Sequence, residues 1–557
     1  MRKLSLLLLL VLASALQAHE RSDEEMMSIA RQQLQQVAAS HRAAPAVSSV
    51  SRAAQAETYN LYSSSDGFVV VSRDDAFMPV LGYSESSYEE CRQIPALQWW
   101  LDQTERSLKV KKADPNYAPR KVSFTPTPYF MTSLWGQQAP YNYLCPKING
   151  VYTLTGCVAT AMAQVLYYYK YPETSTGTSY YYLNDSSTPN TVTVQTTYDW
   201  AAMKNQYSNL ATSAQKTVIG QLMRDCGYAS HMTYRTTASS ALTGDAAAGF
   251  VDNFQFDERS IRFAMRDYYE DSEWLSMVYA ELAARRPVIY GGVDPNPNGG
   301  GHEFVLDGID EEGKVHVNWG WNGVGNGYYE LSHLEPTGIQ GVSGTNYFNT
   351  DHDMVFGITP TPDEEMLSNP VCSEWAVYAG TYSLALGTNN NIKVNLTSTS
   401  FVNIHYQRFT GSLVLHAEAT DGSGKSYNYS LPINITGGVK PYAGFKASDG
   451  FIVYGSNELP AGSYVAYLAS KATKDMVYRP FRCLGGPIRF KLTKRANGSI
   501  LFGDAELIST AVDAVKNQQN KEVKDRYNLR GQRVGNKQRG LVITRFADGT
   551  VRKVLNR

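Results

Sequence analysis

Cysteine is scarce in this chain, with 6 among 557 residues. That excludes a disulfide scaffold, and no CxxC or Cys/His spacing of a structural zinc site occurs. Cys372 and Cys483 fall in one later region, where an incidental pairing stays open. Net charge is also lacking: 51 Lys and Arg against 52 Asp and Glu leave a balance of -1. A phosphate backbone needs a basic surface, so no nucleic-acid partner is expected. Long apolar runs are missing after the amino terminus, and no transmembrane segment is expected. The opening "MRKLSLLLLLVLASALQA" pairs a short basic start with an apolar core too short to span a bilayer. Residues 1–18 therefore read as a cleaved secretory signal peptide, which predicts a secreted or cell-surface protein.

What is present is enough apolar content, 43%, to bury several cores over this length. Ser22 and Glu25 have capping-box spacing, and Met26, Ala30, Leu34 and Val37 share one face of the helix that follows. Strand-like "YNLYSS", "GFVVVSRDD" and "FMPVLGYSESS" then precede a helical "ALQWWLDQTERSLKV", which together predict a small α+β unit. The basic, proline-rich "KVKKADPNYAPRKVSFTPTP" has no periodicity and reads as an exposed linker of the kind proteases cut. From about Tyr129 to residue 360 the chain is rich in Tyr, Trp and Gly and mixes helices with strands, as a catalytic-sized domain would. Alternating segments after it, such as "NNIKVNLTSTSF" and "YVAYLASK", predict an all-β sandwich. The last fifty residues read as a small separate β module.

The chemistry centres on "TLTGCVATAMAQVLYYYKYP". Thr155 is placed to cap a helix that Pro172 ends, and Val158, Met162, Val165, Leu166 and Tyr169 form its buried stripe. Cys157 lies off that stripe in the first turn, where unpaired N–H groups and the helix dipole favour a thiolate. A free cysteine is also among the most buried residue types, so packing is the competing explanation.

A nucleophilic cysteine needs a base. Of 9 histidines, His302 stands apart, following three glycines at the start of the strand "EFVLDGI". A turn near Asp310 brings Asn318 roughly opposite His302, within about two residues of register. Asn318 would then orient the imidazole and Trp319 would cover the pair. His316 is the competing base, in mid-strand. An oxyanion donor is also needed, and "SLWGQQAPYNYLCP" offers Gln137 or Gln138 beside the Cys157 N–H.

The motifs "WGQQAPYN", "TGCVATAMAQVLYY" and "GHEFVLDGIDEEGKVHVNWGW" together resemble the streptopain-like cysteine peptidases of the interpain and periodontain type, over roughly residues 20 to 360. The resemblance implies a papain-like catalytic domain. It gives Cys157 as nucleophile, His302 as general base and acid, and Gln137, preferred to Gln138, in the oxyanion hole. Asn318 would orient the histidine and Trp319 would shield it. Glu303 departs from the pattern, where a small residue is more familiar. The amino-terminal α+β unit is similar to the family's inhibitory propeptide, which would act as an intramolecular inhibitor until cut near "KVKKADPNYAP". The ending "YNLRGQRVGNKQRGLVITRFADGTVRKVL" resembles the sorting modules of type IX secretion. The expected fold class is α+β, with an all-β sandwich and a small β module following the papain-like domain. The expected order is the signal peptide (1–18), propeptide (19–120), papain-like domain (121–360), β-sandwich accessory domain (361–510) and carboxy-terminal module (511–557). The expected activity is hydrolysis of protein and peptide substrates through a thioester, with no metal or organic cofactor. Two other classes compete: a surface binding protein on an inactive papain-like scaffold, and a thiol acyltransferase that uses an amine in place of water.

Overall fold

The computed structural model describes residues 19–40, 49–113, 122–184, 186–293, 301–331, 352–368, 370–378, 382–396, 399–447, 450–483, 486–507, 523–527, 540–546 and 551–556. Residues 1–18, expected to be a signal peptide, residues 114–121 of the expected linker, and Gly299 and Gly300 before His302 lie outside them, while the linker's first five residues, 109–113, are the end of a helix.

Helix α1 (Asp23–Ser40) begins at a closed capping box. The Ser22 N–H donates to Glu25 Oε2 at 2.7 Å, and the Glu25 N–H donates to Ser22 Oγ at 3.2 Å. Its buried stripe of Met26, Ala30 and Leu34 packs on Tyr62, Val69 and Val71 of a four-stranded meander, each large side chain contributing about 1.5–3 kcal/mol. The meander is β1 (Ser51–Gln55), β2 (Tyr59–Ser64), β3 (Gly67–Ser72) and β4 (Val80–Ser84), followed by α2 (Pro95–Ala113).

Next come α3 (Cys157–Tyr169), α4 (Ser213–Ala229), α5 (Thr243–Asp252), β5 (Arg262–Met265) and α6 (Asp271–Ala283). They are followed by β6 (Val288–Val293), β7 (Gly301–Ile309), β8 (Val315–Asn318), β9 (Gly327–Tyr329) and β10 (Asp353–Phe356). The strands run in the order β1-β2-β3-β4-β9-β8-β7-β6-β10-β5. The amino-terminal meander thus extends the larger sheet, through the pairs Gly82↔Tyr329, Tyr83↔Tyr328 and Ser84↔Gly327. Helix α3 is buried from Val158 through Tyr167, nearly all round, because it runs through the core beside β7 instead of along the surface.

A ten-stranded and a three-stranded sheet follow, around a core that includes Trp375, Phe401 and Phe481. Cys372 and Cys483 are both free, which corrects the pairing left open above. The Cys372 N–H is held by Asp475, and Cys483 is wholly buried among the sandwich's apolar side chains. Residues 1–507 form one compact unit and 508–557 a second. The second contains a three-stranded antiparallel sheet: Val523–Tyr527, Gly540–Phe546 and Val551–Asn556.

The sandwich joins the preceding domain through buried charge. Arg482 pairs with Glu374 and Glu273, and its guanidinium lies 3.6 Å from the Tyr269 ring centre. Burial pushes the Glu374 carboxyl up, but Arg482, Arg262 and the Tyr269 hydroxyl outweigh it and hold it below its ordinary value. Glu374→Ala leaves Arg482 with Glu273 as its remaining carboxylate and removes the acceptor of the Tyr269 hydroxyl, with an expected loss of about 1.5–3 kcal/mol. Lys474→Ala, at an exposed pair with Glu258, is expected to cost about 0–1 kcal/mol. Urea unfolding of the two variants checks the contrast.

Candidate active site

Gly156 immediately precedes α3 with φ +86°, and a Cβ there would fall 2.6 Å from the Met232 thioether. Glycine is what lets the chain enter the helix at this point. Thr155, expected as the cap, makes no capping bond. Its hydroxyl pairs with Thr160 Oγ1 at 2.9 Å, because the left-handed glycine intervenes between it and the first turn. The helix stops at Tyr169, where Lys170 turns left-handed with φ 54°.

Cys157 is half-buried at the head of α3. The sequence favours a lowered thiol pKa here, but the structure gives the reverse. Desolvation pushes the thiol up and outweighs the backbone N–H groups of Glu303, Val158 and Cys157 itself.

His302 lies on β7 opposite Gly292. Its Nε2 is 2.9 Å from the Trp319 carbonyl oxygen and 3.3 Å from the Trp321 indole nitrogen. The carbonyl can only accept, so that contact places the proton on Nε2 and the lone pair on Nδ1, and the Trp321 indole N–H then packs beside the ring without donating to it. Burial pulls the imidazole down to about 4, against the Trp319 carbonyl, which favours the charged form.

Asn318 does not orient this ring through its side chain. It donates to Ser133 O at 2.7 Å and Gln164 Oε1 at 3.0 Å, and accepts from the Gly320 N–H at 3.2 Å. Its partner across the sheet is Val305, three residues from His302, because the turn centres on Glu312 and not on Asp310; the bulge between Leu306 and Gly308 shifts the pairing by one residue, towards His302. Asn318 instead braces the turn that presents the Trp319 carbonyl. The Trp319 ring points away into the core, with its indole N–H on Gly325 O at 2.9 Å and its face near Phe304 and Tyr329. The indole beside the imidazole is that of Trp321, with ring centres 6.2 Å apart. The "NWGW" motif contained both tryptophans, but strand alternation puts positions 319 and 321 on one face and could not have chosen between them. His316 is engaged elsewhere, on Asp307 Oδ1 at 2.5 Å and stacked on Tyr129.

Cys157, His302, Gln137, Gln138 and Trp321 line one cavity of about 420 Å³. Gln137 is half-buried and Gln138 exposed. The Gln137 carbonyl accepts the Thr155 N–H at 3.1 Å, which ties its loop to the segment leading into Cys157. Pro95, Ala96 and Trp99 of α2 also line the cavity. The same amino-terminal unit holds the turn behind His302. The Ser86 hydroxyl accepts the Gly325 N–H at 3.1 Å, Ser84 Oγ donates to Asn326 O at 2.7 Å, and the Trp100 indole donates to Glu330 O at 3.2 Å. A thiol, an imidazole with a basic Nδ1 and an amide in one cavity are the groups acyl transfer requires.

Residues 135–329 match the Peptidase C10 family, and residues 18–108 match the Spi protease inhibitor family. The chain is 32% identical over 325 residues to a streptopain of Streptococcus pyogenes, covering 54% of this chain and 80% of that one. The chain belongs to the C10 family of cysteine peptidases. To the thiol protease/hemagglutinin PrtT of Porphyromonas gingivalis this C10 peptidase is 30% identical over 364 residues, covering 61% of this chain and 42% of that protein. Among solved structures it is similar to a cysteine-to-alanine mutant of a Prevotella intermedia prointerpain A fragment. The identity is 36%, the coverage 56% of this chain and 99% of that one, and the TM-score 0.50. Neither family match in the peptidase extends past residue 329. No helix among the described residues is long and apolar enough to cross a membrane.

Proposed function

We propose that the chain is the precursor of an exported cysteine endopeptidase, inhibited by its own amino-terminal unit and matured by self-cleavage in the linker that follows α2. The observation that carries this reading is one cavity lined by Cys157, His302 and Gln137 on one side and by Pro95, Ala96 and Trp99 of the inhibitor-like unit on the other. Once that unit leaves, the Cys157 proton passes to His302 Nδ1 and the thiolate attacks a peptide carbonyl. The Gln137 amide and the Cys157 N–H take the negative oxygen, and His302 returns the proton to the leaving amine. Water, deprotonated by the same nitrogen, then cleaves the thioester and regenerates the thiol. Trp319 acts through its carbonyl, Trp321 by covering the imidazole with its ring, and Asn318 through the turn that carries both. Export through the signal at residues 1–18, and type IX sorting by the last module, complete the proposal.

Gln137→Ala removes one oxyanion donor. It is expected to lower kcat about 10²–10³-fold with a much smaller change in KM, whereas Gln138→Ala should stay close to wild type. Initial rates on a fluorogenic peptide check both. Hydrolysis of casein under reducing conditions, beside Cys157→Ala, tests the reading as a whole.

A further inference from the structure

A second cavity, of about 440 Å³, opens beside the first and is also lined by Cys157 and His302, so a side chain filling it belongs to a residue close to the scissile bond. Its chemistry is acidic. Glu303 on β7 and Asp353 on β10 flank β6, where Gly291 is the partner of both in register. A Cβ at position 291 would fall 2.2 Å from Glu303 Oε1 and 2.5 Å from Asp353 Oδ1. The glycine is therefore what allows two carboxyl groups to meet over the middle strand. The Thr243 hydroxyl contacts both, at 2.8 Å from Asp353 Oδ1 and in a short contact with Glu303 Oε1. One hydroxyl hydrogen cannot serve two carboxylates.

Glu303 is 8% exposed, and its Oε2 has no hydrogen-bond partner. Burial, followed by Asp353 and Cys157, pushes its carboxyl well up, and an entering cation would favour its charged form. Asp267 is a third acid on the cavity, and among the described residues neither Lys nor Arg lines it. The remaining wall includes Leu242, Phe263, Met265 and, from the sandwich, Tyr442, surfaces suited to an aliphatic stem.

We infer that this cavity is a substrate subsite for a lysine or arginine side chain, its charge received by Glu303 and Asp353 and its stem by the Phe263, Met265 and Tyr442 wall. The inference rests on the peptidase reading and adds a substrate class to it. Glu303, the departure from the family pattern noted in the sequence, becomes the residue that sets the preference.

The test uses the full chain after self-processing and peptides that differ only in lysine, arginine or norleucine at each of the two positions before the scissile bond. The readout is the ratio of kcat/KM for the cationic peptide to that for norleucine. Wild type is expected to favour the cation by about 10-fold or more at one position, as a charge-assisted contact in a desolvated site should. That ratio should fall towards one in Glu303→Gln and drop in Asp353→Asn, while Glu258→Gln, at the distant sandwich contact, keeps it. A wild-type preference for norleucine at both positions overturns the subsite and leaves the peptidase standing; it needs no variant to fold. A ratio that survives Glu303→Gln overturns the role of the carboxyl pair. Failure to cut any peptide overturns the peptidase reading, and the subsite falls with it.

Discussion

Cys157→Ala is expected to leave the chain full length and without activity on casein, a loss of roughly 10⁴-fold or more. The wild type, in contrast, should shorten through the linker over hours under reducing conditions. The size follows from the mechanism: the thioester cannot form without the sulfur, and only substrate binding and the oxyanion donors remain. Electrophoresis beside an activity assay separates two effects. If the variant stays whole but wild type added in trans cuts it, the linker is a substrate of the site and not of a contaminant. If both chains stay intact and inactive even after an added protease opens the linker, Cys157 is a packing residue and the binding-protein alternative leads.

The elements were legible wherever one local rule decided them. The capping box at Ser22 and Glu25 closes as its spacing predicts, and "YNLYSS" coincides with β2. The start of α3 at Cys157 and the β7–turn–β8 unit with His302 at its head were also readable. What could not be read depends on distant chain. The bulge at Leu306/Gly308 arises where Asp307 is drawn out to accept the Met131 N–H and to meet His316, contacts that join residues far apart in sequence. The bulge shifts Asn318 one residue towards His302, but the turn, centred on Glu312 and not on Asp310, still leaves it three residues away, and the contact to the ring falls to the Trp319 carbonyl, which no side-chain pattern reveals. The amino-terminal unit was recognisable as an α+β piece, but its joining of the central sheet through β4 and β9 needed the register of both strands. The thiol pKa was misjudged for a similar reason. Helix position is local information, whereas desolvation is set by everything packed around the thiol, from β7 to the other elements of the core.

The same desolvation leads to the second large effect, at His302. In the precursor the Cys157 thiol is raised above its ordinary value of 9.0 and the imidazole is lowered to about 4. Between those limits both groups are neutral, so the thiolate fraction is small and grows tenfold per pH unit. Iodoacetamide labelling of the freshly isolated precursor is therefore expected to accelerate about tenfold per unit from pH 6 to 8, without a plateau. Release of α2 removes Pro95, Ala96 and Trp99 from the cavity, and water entering there relieves the penalty on both charged forms. The proton can then reside on Nδ1 with the thiolate beside it, and labelling should acquire a plateau on the acid side that persists through neutrality. In His302→Ala, with the linker opened by an added protease, the plateau should be absent and kcat should fall roughly 10⁴-fold or more while KM changes little. His316→Ala should leave the plateau in place, since that ring is held by Asp307 and Tyr129 outside the cavity. A His302→Ala enzyme within tenfold of wild type, or a precursor that labels as fast at pH 6 as at pH 8, would overturn the pairing of this thiol with this imidazole.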